Sequence, residues 1–486
     1  MPNRAKAILA VWGFLPLAAI VYAGFNMLHF DYGGMVWLAE EMSISSMARW
    51  HNGFFPFGAF VYAKAFGFGK PILAASVSVM LFWFLLYELY GMAKFFTKTK
   101  QAVWFAIAVT ALPYFLRHFV LLNPDVFSLV FIVAAVNRWL ANKRLWVVAL
   151  LLGVACWFRY HALVLSIPLL VFMVFEHKER TKWLALGSFL IGISLLVIIS
   201  WAETGKAFST LNFANVYQSY FPINGVEVDG KHAAKSLDFW FNNADFILSK
   251  YLSYWLKNWW LALALMASAA LSFKSQNARL KVISILAIFY YLVVMLAPSP
   301  NMYALAWPLV LIPIFSSSTL KLGPIKLRVQ YATMALAVIG VYTFVEFAWQ
   351  QKELKKVDAG IEQSIEKESQ NEPVTVFCYG HDFYARKHKN WKIAQQNGWM
   401  RMNEPLYNAR LPSINFNGNT SEVLSQFSAN NYGYVVIDSR LANRYSAIFA
   451  SHHFQKIGEH VKRHIYIKNL IPSIKEYSCL VYKFTP

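Results

Sequence analysis

Long apolar runs, each broken by a few charged residues, fill the first 350 or so positions of the chain. A helix that crosses a bilayer needs roughly 20 mostly apolar residues. On that measure the pattern predicts helices near residues 7–28, 72–95, 102–120, 124–141, 145–158, 161–176, 183–202, 253–273, 280–298, 303–317 and 329–349, about eleven spans in all. The runs at 145–158 and 161–176 are the shortest fit to that length. The intervening connections are unequal: 29–71 and 203–252 are long, whereas 299–302 is a PSPN turn. Within the first long connection Met35, Leu38, Ala39 and Met42 recur at helical spacing. That spacing predicts an amphipathic helix along the membrane interface, with Asp31 at its start.

Beyond residue 349 the pattern changes. QQKELKKVDAGIEQSIEKESQNEP is polar and mixed in charge and reads as a linker over 350–372. It is followed by PVTVFCYG, TSEVLSQFSANN, YGYVVIDSR, RYSAIFASHHF and SCLVYKF. These alternate as strand, helix, strand, helix and strand, which predicts a small α/β domain over 373–486. The expected fold is thus a polytopic α-helical membrane domain over 1–349 followed by that terminal domain. No internal repeat is visible.

Composition agrees: of 486 residues 57% are hydrophobic, 17% aromatic and only 14% charged, with a mean hydropathy of +0.39. The 18 Trp, 25 Tyr and 40 Phe suit interfacial belts and by themselves say nothing of ligands. The net charge of +20 is no argument for nucleic acid, because in a membrane protein cations follow orientation. With the N-terminus cytoplasmic, every second connection carries Lys or Arg: Lys94, Lys98 and Lys100, then Lys143 and Arg144, Lys178, Arg180 and Lys182, Lys274, Arg279 and Lys281, and Lys321, Lys326 and Arg328. An odd number of spans then puts the terminal domain outside, across a cytoplasmic (inner) membrane. PNRAKA runs straight into apolar sequence and reads as a retained first span, with no small-residue cleavage site. Of three cysteines, Cys378 and Cys479 share the terminal domain and could pair in an oxidising compartment.

The candidate chemistry sits at the outer ends of helices. Asp31 is either a helix N-cap or a general base placed where a hydroxyl acceptor meets a membrane-held donor. Glu40 and Glu41 are adjacent, so only one can share a helix face with a catalytic group. Asp125, after Asn123 and Pro124, is again either a cap or a second carboxylate converging on the same cavity. Outer cations complement them: Arg49, Lys64 and Lys70, Arg117 and His118, Arg159 and His161, and Lys206 and Lys257. Arg recognises phosphate bidentately and Lys as a point charge, while Lys64 and Lys257 also fit snorkelling to headgroups. Arg159 and His161, in the turn FRYH between two runs, fit it less well. No Walker A, Rossmann or HExxH pattern occurs in the terminal domain, and no His, Cys or carboxylate cluster has metal-ligand spacing.

Taken in order, FDYGGMVWLAEEM, HNGFFPFGAFVYAKAFGFGKPI and LLNPDVFSLVFIVAAVNRWL, with LLGVACWFRYHALVLSIPLLV, ETGKAF and PNMYALAWPLVLI, resemble segments of the GT-C membrane glycosyltransferases. The branch they resemble is the protein O-mannosyltransferase-like one that includes lipid A aminoarabinose transferases. The resemblance covers roughly residues 7–315. It implies transfer of a sugar from a polyprenyl-phosphate-linked donor to a lipid, glycan or protein acceptor at the outer membrane face, by single displacement with inversion. Asp31 matches the family's first-loop catalytic aspartate and Asp125 its second acidic motif. Lys70, Arg117, Arg159 and His161 would bind substrate or phosphate, with Glu40 and Glu41 as acidic support. The chain departs from the pattern where Tyr32 follows the aspartate and where HNGFFP replaces an acidic-Lys-Pro-Pro segment. Metal dependence is not legible, and a divalent cation such as Mg or Mn remains open. A transporter or lipid flippase, or a polysaccharide polymerase or ligase, is the competing reading.

Overall fold

The structure, a computed structural model, describes residues 3–23, 71–112, 115–116, 124–159, 161–176, 179–204, 241–296, 305–317, 319–322, 325–370, 372–380, 391–396, 414–416, 418–468 and 471–486. Two compact units divide it: among the described residues the first holds 3–19 and 71–344, and the second holds 20–23, the end of the second helix, and 345–486.

In the first unit the apolar runs become helices: α1 (Asn3–Gly13), α2 (Leu15–Ala23), α3 (Pro71–Lys94), α4 (Thr99–Thr110), α5 (Pro124–Leu140), α6 (Leu145–Cys156), α7 (Ala162–Glu176), α8 (Glu179–Thr204), α9 (Ala244–Lys257), α10 (Trp259–Lys274), α11 (Ala278–Val294) and α12 (Trp307–Ser316). A short hairpin of β1 (Thr319–Leu322) and β2 (Ile325–Arg328) leads into α13 (Val329–Ser369), a helix of 41 residues. Each expected apolar run therefore holds a helix, but among the described residues only Asn3–Tyr22, Ser76–Lys94 and Gln330–Ser369 are long and apolar enough to cross a membrane alone. The pair α9 and α10 adds a fourth if its 78° bend is counted as a break within one span. Where the sequence predicts one helix over 253–273, the structure thus has two. The break is at Asn258, whose φ of −113° and ψ of 36° leave the helical region and whose side chain donates to the Tyr254 carbonyl at 2.8 Å. An Asn that bonds nearby backbone competes with the helix ladder in this way.

Close helix contacts follow from small residues. A Cβ on Gly153 of α6 would lie 2.7 Å from the Gly192 Cα of α8, so the two backbones meet where neither residue has a side chain. Trp12 of α1 donates from Nε1 to Thr110 Oγ1 of α4 at 2.9 Å, and Ser128 of α5 donates to the Ala155 carbonyl of α6 at 3.0 Å.

The second unit takes up α13 from Val345 on, and α13 runs to Ser369, so most of the segment expected as a linker is helix. Val357, Ile361 and Ile365 recur every fourth residue, are buried, and pack on a sheet. That sheet comprises β3 (Thr375–Tyr379), β4 (Lys392–Gln396), β5 (Tyr434–Asp438), β6 (Phe454–Lys468) and β7 (Ile471–Phe484) in the order β4-β3-β5-β7-β6. β4, β3 and β5 are parallel, and β7 and β6 add antiparallel to β5. Side chains alternate between faces. Val376, Cys378, Val436, Cys479 and Val481 meet α13, while Phe377, Val435, Ile437, Leu480 and Tyr482 meet Val423 and Phe427 of α14 (Thr420–Ala429) and Phe449 beyond α15 (Ser439–Arg444), in α16 (Ser446–Phe449). This is the α/β arrangement expected from the sequence, enlarged by β4 and β6.

Cys378 and Cys479 are both buried and form no disulfide, so the pairing that the sequence leaves open is not made. They lie on β3 and β7, with β5 between them. Two strand spacings, about 9.6 Å, exceed the reach of a disulfide of about 7 Å.

Candidate functional site

Three of the eight residues singled out in the sequence lie within the described part of the chain, and the structure brings all three together. Pro124 opens α5 with its fixed φ, and Asp125 stands in the first turn. Arg159 and His161 come from the turn between α6 and α7, which closes with Ala162 N donating to the Arg159 carbonyl at 3.1 Å. Phe158 anchors that turn, its ring stacked on Phe127 at 5.0 Å and on Phe131 at 5.8 Å, both on α5 beyond Asp125. The turn is therefore clamped to the helix that carries the carboxylate.

The guanidinium of Arg159 faces the Asp125 carboxylate with both ends of its fork: Nε is 2.6 Å from Oδ1, and Nη2 donates to Oδ2 at 3.0 Å. His161 Nε2 lies 3.6 Å from the same Oδ1. All three side chains are close to fully buried, at 1, 9 and 12% exposure. A carboxylate so deeply placed is costly unless paired, and the bidentate partner supplies that pairing. The His161 ring also approaches Tyr290 of α11, with centroids 6.4 Å apart, and Tyr290 is wholly buried. α5, the α6–α7 turn and α11 thus converge on one buried carboxylate. Chemically, such a group accepts a hydrogen bond or a proton from a hydroxyl brought within reach, in a setting where its orientation is fixed.

Asp31, Glu40, Glu41, Lys70 and Arg117 lie outside the described residues. Among the described residues no group of three or more His, Cys, Asp or Glu could hold a metal ion.

A second buried ion pair escapes the sequence reading. Glu88 of α3, fully buried, receives Arg138 Nη1 at 2.5 Å and Nη2 at 2.6 Å, and Asn137 Nδ2 at 2.6 Å, both from α5. The signal was present in YELYG, an acid well inside an apolar run, which marks a functional or pairing residue by default. Nearby along α5, Trp139 Nε1 donates to Glu176 Oε2 of α7 at 3.0 Å. Tyr290, by contrast, is one of many tyrosines in apolar sequence, and nothing in the pattern distinguishes it.

The sequence matches no protein-family model and no curated protein. Among solved structures, the crystal structure of ArnT from Cupriavidus metallidurans bound to undecaprenyl phosphate is similar over 99% of this chain and 98% of that one, with 10% identity and a TM-score of 0.52. The archaeal oligosaccharyltransferase AglB from Archaeoglobus fulgidus, in complex with an inhibitory peptide and a dolichol-phosphate, is matched over 97% of this chain and 74% of that one at 11% identity and a TM-score of 0.47. The first likeness shows a shared fold over nearly the whole length of the chain, and among the described residues three helices are long and apolar enough to cross a membrane.

Proposed function

We propose that the chain is a membrane glycosyltransferase that moves a sugar from a polyprenyl-phosphate-linked donor to a lipid, glycan or protein acceptor at the outer face of a cytoplasmic membrane. The observation that carries this reading is the end-to-end fold likeness to ArnT, whose crystal structure holds undecaprenyl phosphate. Fold alone does not assign chemistry, and the buried Asp125–Arg159–His161 group adds a fixed carboxylate at the end of an apolar helix where such chemistry needs one.

In this reading the bond between the sugar's anomeric carbon and the phosphate oxygen breaks as the acceptor hydroxyl attacks from the opposite face. Asp31 takes the hydroxyl proton, and polyprenyl phosphate departs carrying the electron pair. Asp125 orients the acceptor, with Arg159 holding its carboxylate in place and His161 beside it. Arg159 meets phosphate only as the partner of Asp125, so Lys70 and Arg117 bear most of the stabilisation of the leaving group. Glu40 or Glu41 supports the first loop.

The test is transfer of radiolabelled sugar from a membrane lipid extract into envelope fractions by the wild-type chain and by Asp31→Asn at matched expression. Wild-type transfer that falls by 100-fold or more in the variant, about the lower end for losing a general base, supports the reading. Equal transfer by both would leave Asp31 as a helix cap only.

A further inference from the structure

The helix α9 is unlike the others in the first unit: none of its residues is buried. Leu248, Leu252 and Leu256 recur every fourth position and are 56, 52 and 75% exposed, so they form one apolar stripe along the helix. Trp259, just past its end, continues the stripe and is also exposed. On one flank of the stripe Tyr251 donates to the Leu292 carbonyl of α11 at 2.8 Å, and by helical spacing Lys250 and Lys257 stand on the side opposite the leucines.

Two observations say what covers it. At Asn258 the chain turns by 78° into α10, whose residues Leu263 and Met266 are also apolar and exposed, so the apolar surface continues from one helix to the next. A helix at 78° to one that enters the bilayer lies close to the membrane plane. The residues gathered at the bend are those that favour the headgroup level: Tyr251, Tyr254, Trp255, Trp259 and Trp260. Lys250 over the Phe246 ring at 5.3 Å and Lys257 over the Tyr254 ring at 6.0 Å put cations beside them, as amphipathic interfacial helices do.

We propose that Ala244–Lys257 is an interfacial helix that lies in the headgroup region of the bilayer with Leu248, Leu252 and Leu256 among the acyl chains, and that the chain turns into the bilayer at Asn258. The proposal rests on the membrane location of the chain. Its occupant is the lipid surface.

Spin labels placed singly at Leu248→Cys, Leu252→Cys and Leu256→Cys, with Leu263→Cys and Met266→Cys on α10 for reference, would be read in lipid nanodiscs by collision with oxygen and with a nickel chelate. The native cysteines are buried and stay, and the parent chain taken through the same labelling gives the background. The expected result is high oxygen and low nickel collision at the three leucines, at one common depth, with Met266 deeper than Leu263. A depth that grows by about 6 Å at each step from 248 to 252 to 256 would overturn the proposal, because α9 would then be descending through the bilayer. High nickel collision at the three leucines with lipid contact kept on α10 would also overturn it, showing that water or protein faces the stripe. Nickel access on α10 as well would overturn the membrane location beneath it.

Discussion

Asp125 stands after Pro124 in the first turn of α5, the place where a carboxylate ordinarily serves the helix end, yet its oxygens are held by Arg159 from 34 residues away. The sequence raises both readings and cannot choose, because the turn that brings Arg159 back depends on how α6 and α7 pack. What was legible is that FRYH fits poorly as a snorkelling pair. Glu88 and Arg138 carry a similar signal, as charges within apolar runs, yet escaped the reading, and their separation of 50 residues hides the pairing. At this scale the account predicts strong coupling. Asp125→Leu or Arg159→Met alone leaves one buried charge unpaired and costs about 3–5 kcal/mol, whereas the double replacement recovers much of that loss. Thermal unfolding of the purified variants in detergent measures it, with additive single losses counting against the pair. Transfer activity, by contrast, stays low in all three variants if Asp125 orients the acceptor.

At the scale of elements, hydrophobic periodicity was readable wherever an apolar face was continuous. β3, β5, β7 and α14 sit where the alternation put them. β6 escaped because QKIGEHVKRHIYIK mixes charges into every turn of the pattern; as an edge strand it buries only one side of each pair. The segment from 350 onward reads as linker by its charge, but Val357, Ile361 and Ile365 at four-residue spacing carry α13 onto the sheet. The break at Asn258 is invisible to a hydropathy window, since the apolar run continues across it. Helix crossings hinge on glycine in the same hidden way. At Gly153 any side chain meets the backbone of Gly192, which cannot swing aside, so Gly153→Val forces α6 and α8 apart. The expected cost is about 1–3 kcal/mol, typical of overpacking, read as a lowered Tm; an unchanged Tm would mean that the two helices do not meet there.

Over the whole molecule, a chain that matches no family model nonetheless shares its fold with ArnT from end to end at 10% identity. That is possible because the fold is specified by which positions are apolar, small or charged at helix ends, and many sequences satisfy those demands. The same tolerance makes sugar, acceptor and donor invisible to pattern, since they depend on side chains placed by loops. A transporter could use the same helices, so the decisive quantity is whether a bond is broken. Purified protein in liposomes that contain a polyprenyl-phosphate-linked radiolabelled sugar and an extract of envelope acceptors should release free polyprenyl phosphate in step with label appearing on the acceptor. The account predicts equal amounts of the two products with the wild-type chain. Label that stays on polyprenyl phosphate while crossing to the opposite leaflet would contradict it and make the protein a carrier of lipid-linked sugar.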